Sequence, residues 1–137
     1  MQTATHPMTS TKTALWSGWI ISGLAAAFLI MDGGIKVLQL APAVDATVQL
    51  GYPAGVVMPL GVLLLACLAV YLLPRTAPLG AILLTGYLGG AIATHVRVGS
   101  PLFSFVFPLI VGALIWGGLA LRDARVRALL RPEDKPA

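Results

Sequence analysis

From Val56 to Leu73 the chain carries no charged side chain, breaks for Pro74-Arg-Thr-Ala-Pro78, and at once enters another apolar run. The break is too short for anything but an antiparallel helical hairpin. Each run approaches the roughly 20 residues that a helix needs to cross a bilayer. Two membrane helices joined by a tight turn are thus the first elements placed. The second of them holds Gly86, Gly89 and Gly90 and ends on a polar exit with Thr94, His95 and Arg97.

Two further apolar stretches, Leu15 to about Leu40 and Leu102 to Leu121, flank this pair. The whole chain of 137 residues is 58% hydrophobic and only 10% charged, with a mean hydropathy of +0.90, so its principal solvent is lipid. Lys12 ahead of an apolar stretch, with Ala25 to Ala27 as a small-residue site, imitates a secretory signal. The apolar run continues through Phe28, Leu29, Ile30 and Met31, which favours a retained span. The expected organisation is a disordered lead over residues 1–14, a membrane domain over 15–121 and a basic tail over 122–137, with spans near 15–40, 56–73, 79–94 and 102–121.

Between the first two spans, Pro42 suits a first helical turn and Gly51 a left-handed terminator, which predicts a short interfacial helix from Pro42 to Leu50. Val44, Val48 and Leu50 would form its less polar side; a plain loop is the alternative. The expected fold class is all-α: a polytopic four-helix transmembrane bundle with a short interfacial helix between spans one and two. For the fourth span, Ser100 is the expected N-cap and Pro101 the first helical residue, while Pro108 bends the helix. The sequence RDARVRALLR is expected to prolong this helix into water until Pro132.

The net charge of +4 does not point to nucleic acid, because five of nine basic residues (Arg122, Arg125, Arg127, Arg131 and Lys135) lie in the last sixteen positions. With Lys12 and Arg75 they outnumber Lys36 and Arg97 on the other side by seven to two, which predicts both termini in the cytoplasm. The single cysteine, Cys67, excludes an intrachain disulfide or CxxC pair. His6 and His95, the only histidines, do not support a multi-histidine metal site or bis-histidine haem within one chain.

The remaining polar groups collect at one membrane level, the outer one in this topology: Asp32, Lys36, Gln39 and Asp45 after the first span, and Thr94, His95 and Arg97 after the third. Asp32 and Lys36 are spaced to share a helix face and pair with each other. Alternatively Asp32 meets Arg97 across the bundle in a bidentate contact. At about 100 degrees per residue, Gly86, Gly90, Ala93 and Arg97 fall on one narrow face, which reads as a helix-packing seam aimed at a neighbour. His95 lies roughly 160 degrees from Arg97, so the two do not converge on one small ligand from an unbroken helix. His95 is a candidate proton carrier or a headgroup-facing residue.

The block PRTAPLGAILLTGYLGGAIATHVRVGSPLF, together with DGGIKVL around Asp32 and Lys36 and LGYP at Leu50 to Pro53, resembles the DoxX-like family of small four-helix bacterial membrane proteins. The resemblance spans about Leu15 to Leu130 and implies a compact bundle in the bacterial inner membrane. It associates the chain with quinone-linked and other membrane redox complexes, and so with oxidoreductase subunits or other membrane proteins as partners, a homo-oligomer being a further possibility. It carries over no catalytic residue. The expected role is an accessory subunit whose polar outer mouth takes a quinone head group or a lipid, with Tyr52 or Tyr87 nearby. A non-enzymatic scaffold or assembly factor is the second reading, and a small transporter the third.

Overall fold

A computed structural model of the chain describes residues 8–131, with side chains described for 12–131. Six α-helices follow one another: α1 (Met8–Val37), α2 (Ala41–Gln49), α3 (Val57–Leu72), α4 (Ala77–Arg97), α5 (Leu102–Arg122) and α6 (Ala124–Leu130), with a 3-10 turn at Ala54–Val56 leading into α3. The segments Lys12–Val37, Ala54–Leu72, Ala77–Arg97 and Leu102–Arg122 are long and apolar enough to span a membrane. The expected all-α, four-span architecture is therefore present, and α2 is the short helix between the first two spans. Residues 8–14, read from sequence as part of a disordered lead, belong to α1; residues 1–7 lie outside the described part.

The four long helices form a square. α1 packs against α3 and α5, α4 packs against the same two, and α1 and α4 stand diagonally opposite. Leu29, Leu64, Leu68, Leu84, Ile115 and Leu119 close the centre. At most 33% of any spanning window is buried, so large apolar residues such as Trp16, Leu24, Val62, Ile82 and Leu109 face outward. Such a surface is stable only against hydrocarbon.

Glycine sets the helix crossings, at positions other than those expected. A side chain on Gly18 would meet the carbonyl of Gly118 at 2.8 Å, and one on Gly61 would meet the carbonyl of Gly33 at 2.8 Å. These contacts join α1 to α5 at one end and α1 to α3 at the other. Gly80 in α4 lies directly on the Tyr71 backbone of α3. Small residues let backbones approach closely, which is what drives helix association in lipid. The sequence-based seam of Gly86, Gly90 and Ala93 is not a packing surface here: all three are exposed, and a Cβ at Gly86 or Gly90 would meet nothing within 4 Å.

Three helices end at the same membrane level with one device. In α1, α2 and α4 the left-handed position is held by Gln39 (φ 52°), Gly51 (φ 87°) and Gly99 (φ 68°). In each case the following amide returns to the last turn: Leu40 to Ile35, Tyr52 to Thr47 and Ser100 to His95, at 3.0, 3.3 and 3.0 Å. These are Schellman closures, which satisfy carbonyls left open at a helix end. Gln39 in the first of them ends α1 at Val37 rather than near Leu40. Ala43 and Thr47 form the buried side of α2, with Val44 and Leu50 half-buried and Val48 turned outward. For α5 the N-cap is Pro101 and no side chain caps it; Ser100 bonds to His95 instead. The helix runs on through Pro108.

At the opposite end, α5 does not continue into the tail. Asp123 leaves the helix and caps α6, accepting from the Arg125 amide at 2.9 Å and binding the Arg125 guanidinium at 2.8 Å. That guanidinium holds the Asp123 carboxyl below its ordinary value. Beneath this turn Ser22, Tyr71 and Arg122 form a polar knot. Tyr71 Oη donates to the Ile115 carbonyl at 2.9 Å, which uses its only proton. Ser22 must therefore donate to Tyr71 at 2.9 Å, and Arg122 Nε donates to Ser22 at 3.1 Å. The guanidinium also lies over the rings of Trp19 and Tyr71, 4.5 and 5.0 Å from their centroids.

Candidate functional site

The diagonal separation of α1 and α4 leaves space at the end that carries the Schellman closures. A cavity of about 550 Å³ opens there, walled by all four spans and by the chain between α2 and α3. Phe28 of α1 meets Phe107 of α5 edge to face at 4.9 Å, and Phe103 follows Phe107 at 5.6 Å. With Leu60, Leu63 and Val111 these rings make most of the lining apolar.

The polar groups stand on the α1 and α4 sides. Asp32 and Lys36, one turn apart on α1, form an ion pair, and the Lys36 ammonium lies 6.0 Å from the centre of the Tyr87 ring. Thr94 donates to the Gly90 carbonyl at 2.8 Å, so the 3.0 Å contact between Thr94 and Tyr52 is donated by the tyrosine. His95 shares a hydrogen bond of 3.0 Å with Ser100 through Nδ1. Its Nε2 has no hydrogen-bond partner among the described residues, and the residue lines the cavity.

Asp32, Lys36, Thr94 and His95 thus share one chamber. Arg97 does not: it is exposed and donates to the Leu50 carbonyl at 2.7 Å. Of the two partners expected for Asp32, Lys36 is the one present, and the alternative pairing with Arg97 is corrected on two physical grounds. Lys36 already holds the carboxylate within one helical turn, and the end of α2 presents a carbonyl that a guanidinium can reach. Arg97 and the Tyr52–Thr94 bond together tie the α2–α3 connection to α4 beside the mouth. Gln39 and Asp45, grouped with this level in the sequence, point outward.

Sequence reasoning missed the aromatic wall and the cavity role of the glycines. Gly86 and Gly90 are lining residues, and the side chains they lack are part of the reason the chamber has volume. The signal was present in Phe103 and Phe107, four residues apart on one helix face. No group of three or more metal-ligating side chains occurs among the described residues. The arrangement suits an uncharged polar head carried on an apolar body: aromatic surface below, a neutralised ion pair at one side, and an imidazole nitrogen at the other.

Both members of the ion pair are partly buried, at 18% and 28% side-chain exposure. Asp32→Asn is expected to cost about 1–2 kcal/mol, between the exposed and buried limits, because it strands the Lys36 ammonium beside the apolar wall. The double variant Asp32→Asn/Lys36→Met is expected to recover at least half of that loss. Denaturant titration of the purified protein in detergent reads both.

The sequence model described as the DoxX-like family matches residues 20–118. That stretch takes in α2, α3 and α4 whole, most of the first and fourth spans, and all the cavity-lining residues. Neither curated proteins nor solved structures yield a match.

Proposed function

The chain belongs to the DoxX-like family of membrane proteins, and from that premise we propose that it is an accessory subunit of a quinone-linked or redox-related complex in the bacterial inner membrane. The observation that carries this reading is the half-apolar, half-polar chamber between α1 and α4. A quinone ring stacks on aromatic faces, and its carbonyl oxygens accept hydrogen bonds from donors such as the Lys36 ammonium or an N–H at His95 Nε2. In the proposed topology both termini lie in the cytoplasm, with the basic residues of α6 on that side and the chamber toward the outer face. The partner is an oxidoreductase subunit, which supplies the redox centre.

The test is extraction in mild detergent followed by chromatographic analysis of the bound lipid fraction and crosslinking in the native membrane. Quinone retained in stoichiometric amount, and lost in the Phe107→Ala variant, supports the reading. Protein that carries no quinone and crosslinks to no oxidoreductase refutes it. A scaffold or assembly factor is the second reading, favoured by the exposed small-residue surface of α4 at Gly86, Gly89, Gly90 and Ala93. It predicts a co-purifying membrane protein with an empty chamber.

A further inference from the structure

The outward face of α4 changes character halfway along the helix. In the half near the Pro74 turn it carries Leu79, Ile82 and Leu83, which are 53%, 58% and 42% exposed. Gly86 lies seven residues after Leu79 and Gly90 seven after Leu83, so both fall on the same side of the helix as those leucines. Both glycines are exposed there, and both line the cavity. On α3 the neighbouring lining residue Leu63 is itself 51% exposed. The wall of the bundle is therefore interrupted between α3 and α4, at the level of the chamber and on the side that meets lipid.

The size of the chamber gives this gap a purpose. The cube root of 550 Å³ is roughly 8 Å, while half of a bilayer's hydrocarbon core is about 15 Å deep. A head group with a short stub of chain fills such a space; a membrane-length tail does not fit.

We propose that the ligand is a single-tailed amphiphile whose head sits by Asp32, Lys36 and His95 and whose tail leaves between α3 and α4 across Gly86 and Gly90 into the bilayer. The ligand then loads sideways from the membrane, beneath the Tyr52–Thr94 and Arg97–Leu50 ties. This inference rests on the reading of the chamber as a quinone-type site and adds the route and the tail.

The experiment compares two probes on protein in lipid nanodiscs, decylubiquinone and the tailless 2,3-dimethoxy-5-methyl-1,4-benzoquinone, by native mass spectrometry. Gly90→Leu and Gly86→Leu are expected to weaken the tailed probe about tenfold, as loss of roughly two buried methylenes would, while the tailless probe is unchanged. Gly89→Leu, an equally open glycine outside the cavity lining, is the control and is expected to change neither. Equal weakening of both probes by Gly86→Leu and Gly90→Leu overturns the proposal, because the glycines then provide only chamber volume. Equal weakening by Gly89→Leu also overturns it and identifies the surface as a helix-docking face. Wild-type protein that binds neither probe refutes the quinone-type reading itself and this inference with it. Gly86→Ala and Gly90→Ala, whose added methyl meets nothing within 4 Å, keep the comparison open if a leucine variant fails to fold.

Discussion

Replacing Gly80 by alanine is expected to destabilise the bundle by about 2–3 kcal/mol, whereas the same change at Gly86 is expected to stabilise it by roughly 0.5–1 kcal/mol. Both residues are glycines inside α4 and both gain the same helix propensity. They differ in what a methyl group meets. At Gly80 it meets the amide nitrogen and Cα of Tyr71, backbone atoms that cannot rotate aside; at Gly86 it meets nothing within 4 Å. Tyr71 cannot retreat cheaply either, since its side chain is fully buried and bonded to Ser22 and to the Ile115 carbonyl. The pair is read by reversible unfolding in mixed micelles. A loss at Gly80→Ala no larger than at Gly86→Ala would show that α3 and α4 do not approach as described.

That sign reversal was hidden in the sequence, and the reason is the solvent. In water a helix advertises its inward face because the outward one is polar. In lipid both faces are apolar, so periodicity loses its power to say which glycines touch a neighbour. Gly86 and Gly90 form a conspicuous four-residue pair, yet they open onto the chamber and the bilayer. Gly18, Gly33, Gly61 and Gly118 have no such spacing signature, yet they set two crossings of α1. Span number, the tight turn at Pro74 and the helix before Gly51 were legible because length, proline and glycine act locally, whatever the helix faces.

The chamber was legible only in its charges. Asp32, Lys36, Thr94 and His95 could be assigned one membrane level by counting residues, since depth follows from helical rise. The partner of Arg97 could not be found that way. Its acceptor is the carbonyl of Leu50, a backbone atom that every residue possesses and that only the closure of α2 makes available. The aromatic wall of Phe28, Phe103 and Phe107 is split between α1 and α5, so it exists only once those helices are packed.

The knot at the other end yields the second large effect: Arg122→Met is expected to cost about 2–3 kcal/mol, and Arg122→Lys nearly as much. A basic residue at the end of a span usually signals orientation alone, and in that role lysine and arginine are equivalent. Here the side chain has a structural task that depends on its shape. Its Nε bonds to Ser22, and its plane lies over Trp19 and Tyr71, joining α5 to α1 and α3. Lysine can supply the charge but neither the flat stacking surface nor the fixed fork of donors. The knot also has a direction: Arg122 gives to Ser22, Ser22 to Tyr71 and Tyr71 to Ile115, so each hydroxyl both donates and accepts. Tyr71→Phe should therefore strand the Ser22 proton and remove the second donor from the Ile115 carbonyl, which keeps its bond within α5, and its effect should not add to that of Arg122→Met. Unfolding free energies of the two single variants and the double variant decide the matter. If Arg122→Lys lies within about 0.5 kcal/mol of wild type, as an unremarkable surface exchange would, the guanidinium serves topology only.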